Sequence, residues 1–367
     1  MPLLFAAVAC VPGGGRSADA GVRGDSIVFR HARLIHVYRH SGWLLAKVDN
    51  PWKSGETLHT YIIVPNGGDI PENIPQGTVV RTPLERSVVF TSVHCGLLGA
   101  FGRLGAVKGV CDARYVVSPK VRRYIEGGSA GNMGSSMQPD VERIIALNPD
   151  GLLVSPFAGG EYGKLATAGL PLIECADYME KSPLARAEWM RFFGLLYGCG
   201  DEADSLFEQV ERNYTDLCRQ VPPASTRPAV MCDIMQGGAW YVPGGESTTA
   251  RLLRDAGANY VFANNTESGS VRLSPEQILT KARNADVWII RYGSKGALGY
   301  DALRRENAIY AEFKPWTEKK IFACNTFKVP YYDEIPFRPD YALRDLVAIF
   351  HPELGVRGGG RYFTPMK

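Results

Sequence analysis

The chain has 367 residues, a formal net charge of +3, 45% hydrophobic and 22% charged residues. That is ordinary globular composition and more chain than one core usually organises, so two lobes are expected. Dispersed Lys and Arg argue against a nucleic-acid surface, and without an 18-residue apolar run no segment reads as a membrane-spanning helix.

The chain starts MPLLFAAVAC, apolar and ending in small residues before Cys10, followed by the Gly-rich, unpatterned VPGGGRSADAGVRGDS. This looks like the end of a bacterial lipoprotein signal, with Ala9 before the cleavage point and Cys10 lipidated. It lacks a basic n-region, and Ala7 stands where such signals usually carry Leu. Residues 1–26 are read as signal and linker, which implies a periplasmic, lipid-anchored protein.

Residues 27–82 (SIVFRH, RLIHVY, WLLAKV, TYIIVP, TVVRT) are short apolar runs broken by Gly, Pro and Asn, a module of antiparallel strands. His36, Tyr38 and His40 share one strand face by the period of two. With no carboxylate or Cys partner nearby in sequence, that face reads as half-exposed rather than metal-binding. From Pro83 strands alternate with helices through residues 83–181 (SVVFTSVH, KGVCD, GLLVSPF, PLIECA), the grammar of a parallel sheet covered on both faces. Residues 182–226 turn helical, with Ala203, Leu206, Phe207, Val210, Tyr214 and Leu217 stepping by three and four; CGD at 199–201 is a candidate interruption. Residues 227–367 resume the alternation (AVMCDIM, STTARLLRDAG, ADVWIIRY, KIFACNT) and close on a C-terminal helix, DYALRDLVAIFHPEL. The expected fold is α/β, with two doubly wound lobes joined by a long α-helix and an N-terminal β-rich extension. The Cys residues (10, 95, 111, 175, 199, 218, 232 and 324) lack CxxC spacing and sit mostly among apolar neighbours, so buried thiols are expected rather than a zinc site or disulfide framework.

A phrase recurs. QPDVERIIALNPDGLLV (138–154) and SPEQILTKARNADVWII (274–290) each open a helix with Pro near its first position and a Glu in the first turn, Glu142 and Glu276, where free N–H groups favour a carboxylate. By local physics alone this is helix-start chemistry. The ordered series LERSVVFTSVHCGLLGAFGRLGAVKGVC, MQPDVERIIALNPDGLLVS, GGESTTARLLRDAGANYVFAN and LSPEQILTKARNADVWII resembles the class III periplasmic substrate-binding proteins of ABC importers for iron-siderophores, haem and cobalamin, over residues 83–350. The resemblance implies two lobes holding a ligand between them and an ABC permease dimer at the inner membrane as partner. It also implies that Glu142 and Glu276 dock on basic permease residues. Ala285 replaces the Pro of the family phrase, and Glu276 stands two residues further from Asp286 than the family spacing.

Ligands of doubly wound sheets bind beyond the carboxyl ends of the strands. Those loops hold His94, Tyr115, Phe157, Tyr162, Tyr178, Trp240, Tyr241, Tyr292, Tyr331 and Tyr332, walls suited to a large planar or macrocyclic ligand. For each aromatic alone, loop packing is an equal reading; Trp240-Tyr241 before PGGES is the foremost individual candidate. Arg114, Arg291 and Lys328 are the candidate cations for an anionic siderophore. No GxSxG, HExxH, P-loop or GxGxxG after a strand is present, so a non-enzymatic binding protein without a resident cofactor or metal is expected. The alternatives are a chelatase-like enzyme acting on a tetrapyrrole, with His94 and Glu161 as acid–base pair, and a non-catalytic envelope scaffold using the N-terminal module.

Overall fold

The computed structural model describes residues 24–367, so Cys10 and most of the signal-like segment lie outside the described residues. The first sheet comprises β1 (Asp25–Ile27), β2 (Ile35–His40), β3 (Trp43–Asp49), β4 (Thr57–Pro65) and β5 (Thr78–Thr82), in that spatial order. Its pairs are antiparallel through β4, but β5 runs parallel to β4, because residues 66–77 cross back before the strand begins. Ile35 and Val37 of β2 point inward while His36 and Tyr38 alternate to a half-exposed face; His36 Nε2 meets Asp49 there at 3.0 Å.

Lobe 1 follows as β6 (Ser87–Val89), α1 (Ser92–Ala100), β7 (Val107–Val110), α2 (Pro119–Glu126) and β8 (Gly131–Asn132). It continues with the short pair β9 (Gly134–Ser135) and β10 (Gln138–Pro139), then α3 (Val141–Leu147), β11 (Gly151–Val154), α4 (Lys164–Thr167) and β12 (Leu172–Glu174). Its sheet is parallel, in the order β12-β11-β6-β7-β8. One face buries Val88, Ile144, Leu152 and Leu165. The other shares a continuous core with the first sheet, in which Ile35, Val37 and Tyr61 pack with Ile173, Trp189 and Phe192.

The N-terminal sheet is therefore a layer of lobe 1, and buried carboxylates fasten it. Glu188, fully buried, accepts the backbone N–H groups of Arg30, His31 and Ala32 at 2.7, 2.7 and 2.8 Å. Glu180 accepts those of Arg33 and Leu34, both at 2.9 Å. Residues 30–34 are irregular, so their amides have no ladder and require such acceptors once buried.

The segment expected as one connecting helix is two. Ser182 caps α5 (Pro183–Leu196), the chain turns at Gly198 with φ +62°, and α6 (Gly200–Gln220) follows. The helices touch so closely that a Cβ on Gly194 would stand 2.4 Å from that of Ala203. The long joining helix is α6 alone: Ala203, Phe207 and Val210 enter the core of lobe 1, and Tyr214 and Leu217 that of lobe 2.

Lobe 2 contains β13 (Ala229–Cys232), the hairpin β14 (Met235–Gln236) and β15 (Ala239–Pro243), α7 (Thr248–Asp255), β16 (Asn259–Tyr260), β17 (Ser270–Leu273), α8 (Pro275–Ala282) and β18 (Val287–Tyr292). Then come α9 (Tyr300–Glu306), α10 (Lys314–Thr317), β19 (Ile321–Asn325), α11 (Tyr331–Glu334), α12 (Pro339–Phe350) and β20 (Thr364–Pro365). The main sheet runs β16-β13-β18-β19-β20, parallel except for β20. A second tie joins the lobes after β19. Asp333 Oδ2 accepts the amides of Val117 and Ser118 at 2.8 and 2.7 Å, and Phe337 inserts into the core of lobe 1 against Phe193.

Candidate functional site: the cleft between strand tips

Both lobes contribute to one cavity of about 190 Å³, with Val93 from the start of α1, Arg186 from α5, Thr248 from the start of α7, Arg291 from the end of β18, and Tyr331 and Tyr332 from α11. On the lobe 1 side Thr91 caps α1 and shares a 2.9 Å hydrogen bond with His94 Nδ1. His94 Nε2 lies 3.0 Å from Asp177 Oδ1, and Arg186 Nε donates to Asp177 Oδ2, also at 3.0 Å. Burial pushes the Asp177 carboxyl up, but Arg186 and His94 outweigh it and hold it below the usual aspartate value. On the lobe 2 side Asp233, in the left-handed region directly after β13, receives Arg291 Nε at 3.1 Å and Nη2 at 2.5 Å. Burial works against the charge on Arg291, and Asp233 more than restores it.

The aromatic candidates divide. Tyr115, Phe157, Tyr241 and Tyr332 are exposed, a state in which large rings are available to a partner. Tyr115 is stacked by the Arg114 guanidinium at 4.7 Å. Tyr162 donates its hydroxyl to Glu174 at 2.9 Å, Tyr178 donates to the carbonyl of Pro156, and Tyr292 accepts the Leu298 amide at 3.2 Å. These three are half-buried supports of their loops. Tyr331 is buried and lines the cavity.

Two expectations are corrected. Trp240 is fully buried in the core of lobe 2, stacked on Trp288 at 5.8 Å with Nε1 donating to the Cys232 carbonyl. The loop expected there is strand β15, and its alternation sends Trp240 in and Tyr241 out, opposite Arg272. His94 is 2% exposed with both ring nitrogens engaged, so it presents none to a ligand. It also does not pair with Glu161, which lies exposed on a loop, and the acid–base pair is not assembled. Nor do the three candidate cations form a triad in the cavity: Arg114 and Lys328 are exposed, and Arg291 shares the cavity with Arg186 instead.

Sequence reasoning passed over Arg186, Thr248 and the exposed Phe327. Phe327 stands in the loop after β19, a position the strand-end rule did point to. Arg186 has no local signal, since only the return of α5 past Asp177 gives it a role. Among the described residues no group of three or more His, Cys, Asp or Glu is placed to hold a metal ion. The described cysteines are free and, Cys218 apart, buried.

Glu142 and Glu276 occupy the first turns of α3 and α8. Each helix leads into a parallel strand, β11 or β18, so both carboxylates lie at the strand-tip end of their lobes. Glu142 is open, with Lys164 at 3.6 Å; a hydrogen bond from Ser274 lowers the carboxyl of the exposed Glu276. A larger cavity, about 690 Å³, is a groove of lobe 2 alone, with Val271, Leu273 and Lys281 in its walls and Glu276 at its rim. The smaller cavity draws on both lobes, as does a third of about 360 Å³ between α1 and the Asp333–Tyr341 stretch, but only the smaller one holds Arg186 and Arg291.

Comparison with known proteins agrees with this geometry. The periplasmic binding protein family matches residues 104–326. An uncharacterized lipoprotein of Methanocaldococcus jannaschii is 26% identical over 286 residues, 75% of this chain and 67% of the relative. A periplasmic heme-binding protein from Roseiflexus sp. superposes with TM-score 0.58 at 24% identity, covering 73% of this chain and 98% of that one. A molybdate periplasmic binding protein from Haemophilus influenzae gives 0.60 at 15% identity, covering 76% and 89%. The chain belongs to the periplasmic binding protein family, bilobal α/β proteins with a substrate-binding role in ABC importers.

Proposed function

We propose that this protein captures a metal complex, an iron chelate, haem or cobalamin, between its lobes and delivers it to an ABC permease dimer, tethered to the cell envelope by a lipid on Cys10. The observation that carries this reading is the cavity lined by helix starts and strand ends of both lobes, with α6 crossing between their cores. Exposed Tyr332 lines that cavity, and exposed Tyr115, Phe157 and Phe327 stand beyond the ends of β7, β11 and β19, where rings are available to a larger ligand. Lipoprotein relatives support the tether. Glu142 and Glu276 are the docking carboxylates, contributing orientation more than affinity.

Because α6 and the Asp333–Phe337 tie both cross between the lobes, closure on ligand is small. The inner face of the N-terminal sheet is consumed by lobe 1, which disfavours the scaffold reading. Native mass spectrometry with visible absorption spectra, after incubation with haem, cobalamin and ferric siderophores, tests the proposal. Retention of one complex at one per chain is expected; retention of none overturns it.

A further inference from the structure

We infer that the cleft recognises its ligand by a compact anionic group, a carboxylate or a tetrahedral oxyanion, gripped between Arg186 and Arg291. This rests on the proposed binding role and specifies what the cleft selects. Arg186 gives Nε to Asp177, and among the described residues its Nη groups have no acceptor. Arg291 gives Nε and Nη2 to Asp233, and Nη1 is left. Each guanidinium is thus held by its own aspartate, and both arginines line one cavity. One is anchored on lobe 1 and the other on lobe 2, so a shared anion bridges the lobes.

Thr248 and Thr249 stand in the same wall as the first two residues of α7. They add hydroxyls and backbone N–H groups that have no intrahelical acceptor. Two arginines against two aspartates leave no excess of positive charge. The site therefore lacks the means to hold anions indiscriminately and selects by the direction of its donors.

The size agrees. At about 190 Å³ the cavity lies below the roughly 300–1,000 Å³ of a whole drug-sized ligand site, so it takes a head group. The exposed ring of Tyr332, in the same wall, is left for any larger body attached to it.

Isothermal titration of the full chain with molybdate, phosphate, ferric citrate and a neutral ferric trihydroxamate provides the test. We expect binding of an oxyanion or of ferric citrate, weakened at least ten-fold by Arg186→Gln and by Arg291→Gln. Because Arg291→Gln strands Asp233, the double variant Asp233→Asn/Arg291→Gln is measured beside it, and circular dichroism confirms the fold of each. Binding of molybdate or phosphate alone identifies a free oxyanion; binding of ferric citrate alone identifies a chelate-borne carboxylate. Arginine variants that bind as the wild type does, or a wild type that takes only the neutral trihydroxamate, overturn the inference and leave the transport role standing. A wild type that takes none of these probes but retains cobalamin does the same, and one that retains no probe at all overturns both.

Discussion

The two lobes present similar sheets to the cleft but support them by different physics. Behind lobe 1 stands the N-terminal sheet, fastened through Glu180 and Glu188 to the amides of residues 30–34. Behind the strand tips of lobe 2 stands an aromatic cluster in which Trp240, Trp288, Tyr310 and Phe313 pack at 5.4–5.8 Å. Directional bonds to a buried carboxylate fail together when it is removed, whereas ring packing degrades with the volume lost. Lobe 1 should therefore be sensitive to charge and lobe 2 to size.

Substitutions in the two lobes test that contrast. Trp240→Ala should cost about 3–5 kcal/mol in denaturant unfolding and leave the affinity of the folded protein for ligand near wild type; Trp240→Phe should recover most of the loss. An equal loss in the Phe variant would show that size does not govern lobe 2. Glu188→Ala leaves three backbone amides and Arg191 without their buried acceptor; a destabilisation of roughly 3 kcal/mol is expected. Glu188→Gln, which keeps the shape, should recover only part of it, opposite to the tolerance of Trp240→Phe. Equal stability of Glu188→Gln and wild type would remove the charge argument for lobe 1.

A smaller effect is expected with pH. Asp177 is held below its ordinary value in the folded state, so its contribution to stability is complete above the unfolded aspartate pKa and is lost as pH falls through the lowered one. Between pH 6 and pH 3, Asp177→Asn should lose less in melting temperature than wild type does. Charge reversal at both Glu142 and Glu276 should leave the melting temperature and ligand affinity unchanged and abolish uptake in cells; persistent uptake would remove docking from these residues.

The order of strands and helices was legible because Gly, Pro and cap residues punctuate it locally. Pro275 follows a Ser274 cap and Gly257 follows α7. The break between α5 and α6 was half legible: CGD marked the place, but only the close packing of Gly194 on Ala203 shows that the chain folds back. The cleft was less legible. Of ten ligand candidates, Trp240 belongs to the core and His94 to a buried network, whereas Arg186 carried no signal.

Two α/β halves, the helical crossing between them, and carboxylates in the first turns of α3 and α8 were readable along the chain. These follow from periodicity and punctuation, which act over a few residues. Which of Trp240 and Tyr241 faces solvent, that the N-terminal sheet is part of lobe 1, and that Arg186 and Arg291 share a cavity emerge from the folded arrangement. Each of these depends on residues far apart in the chain arriving at one place, and no local preference encodes that meeting.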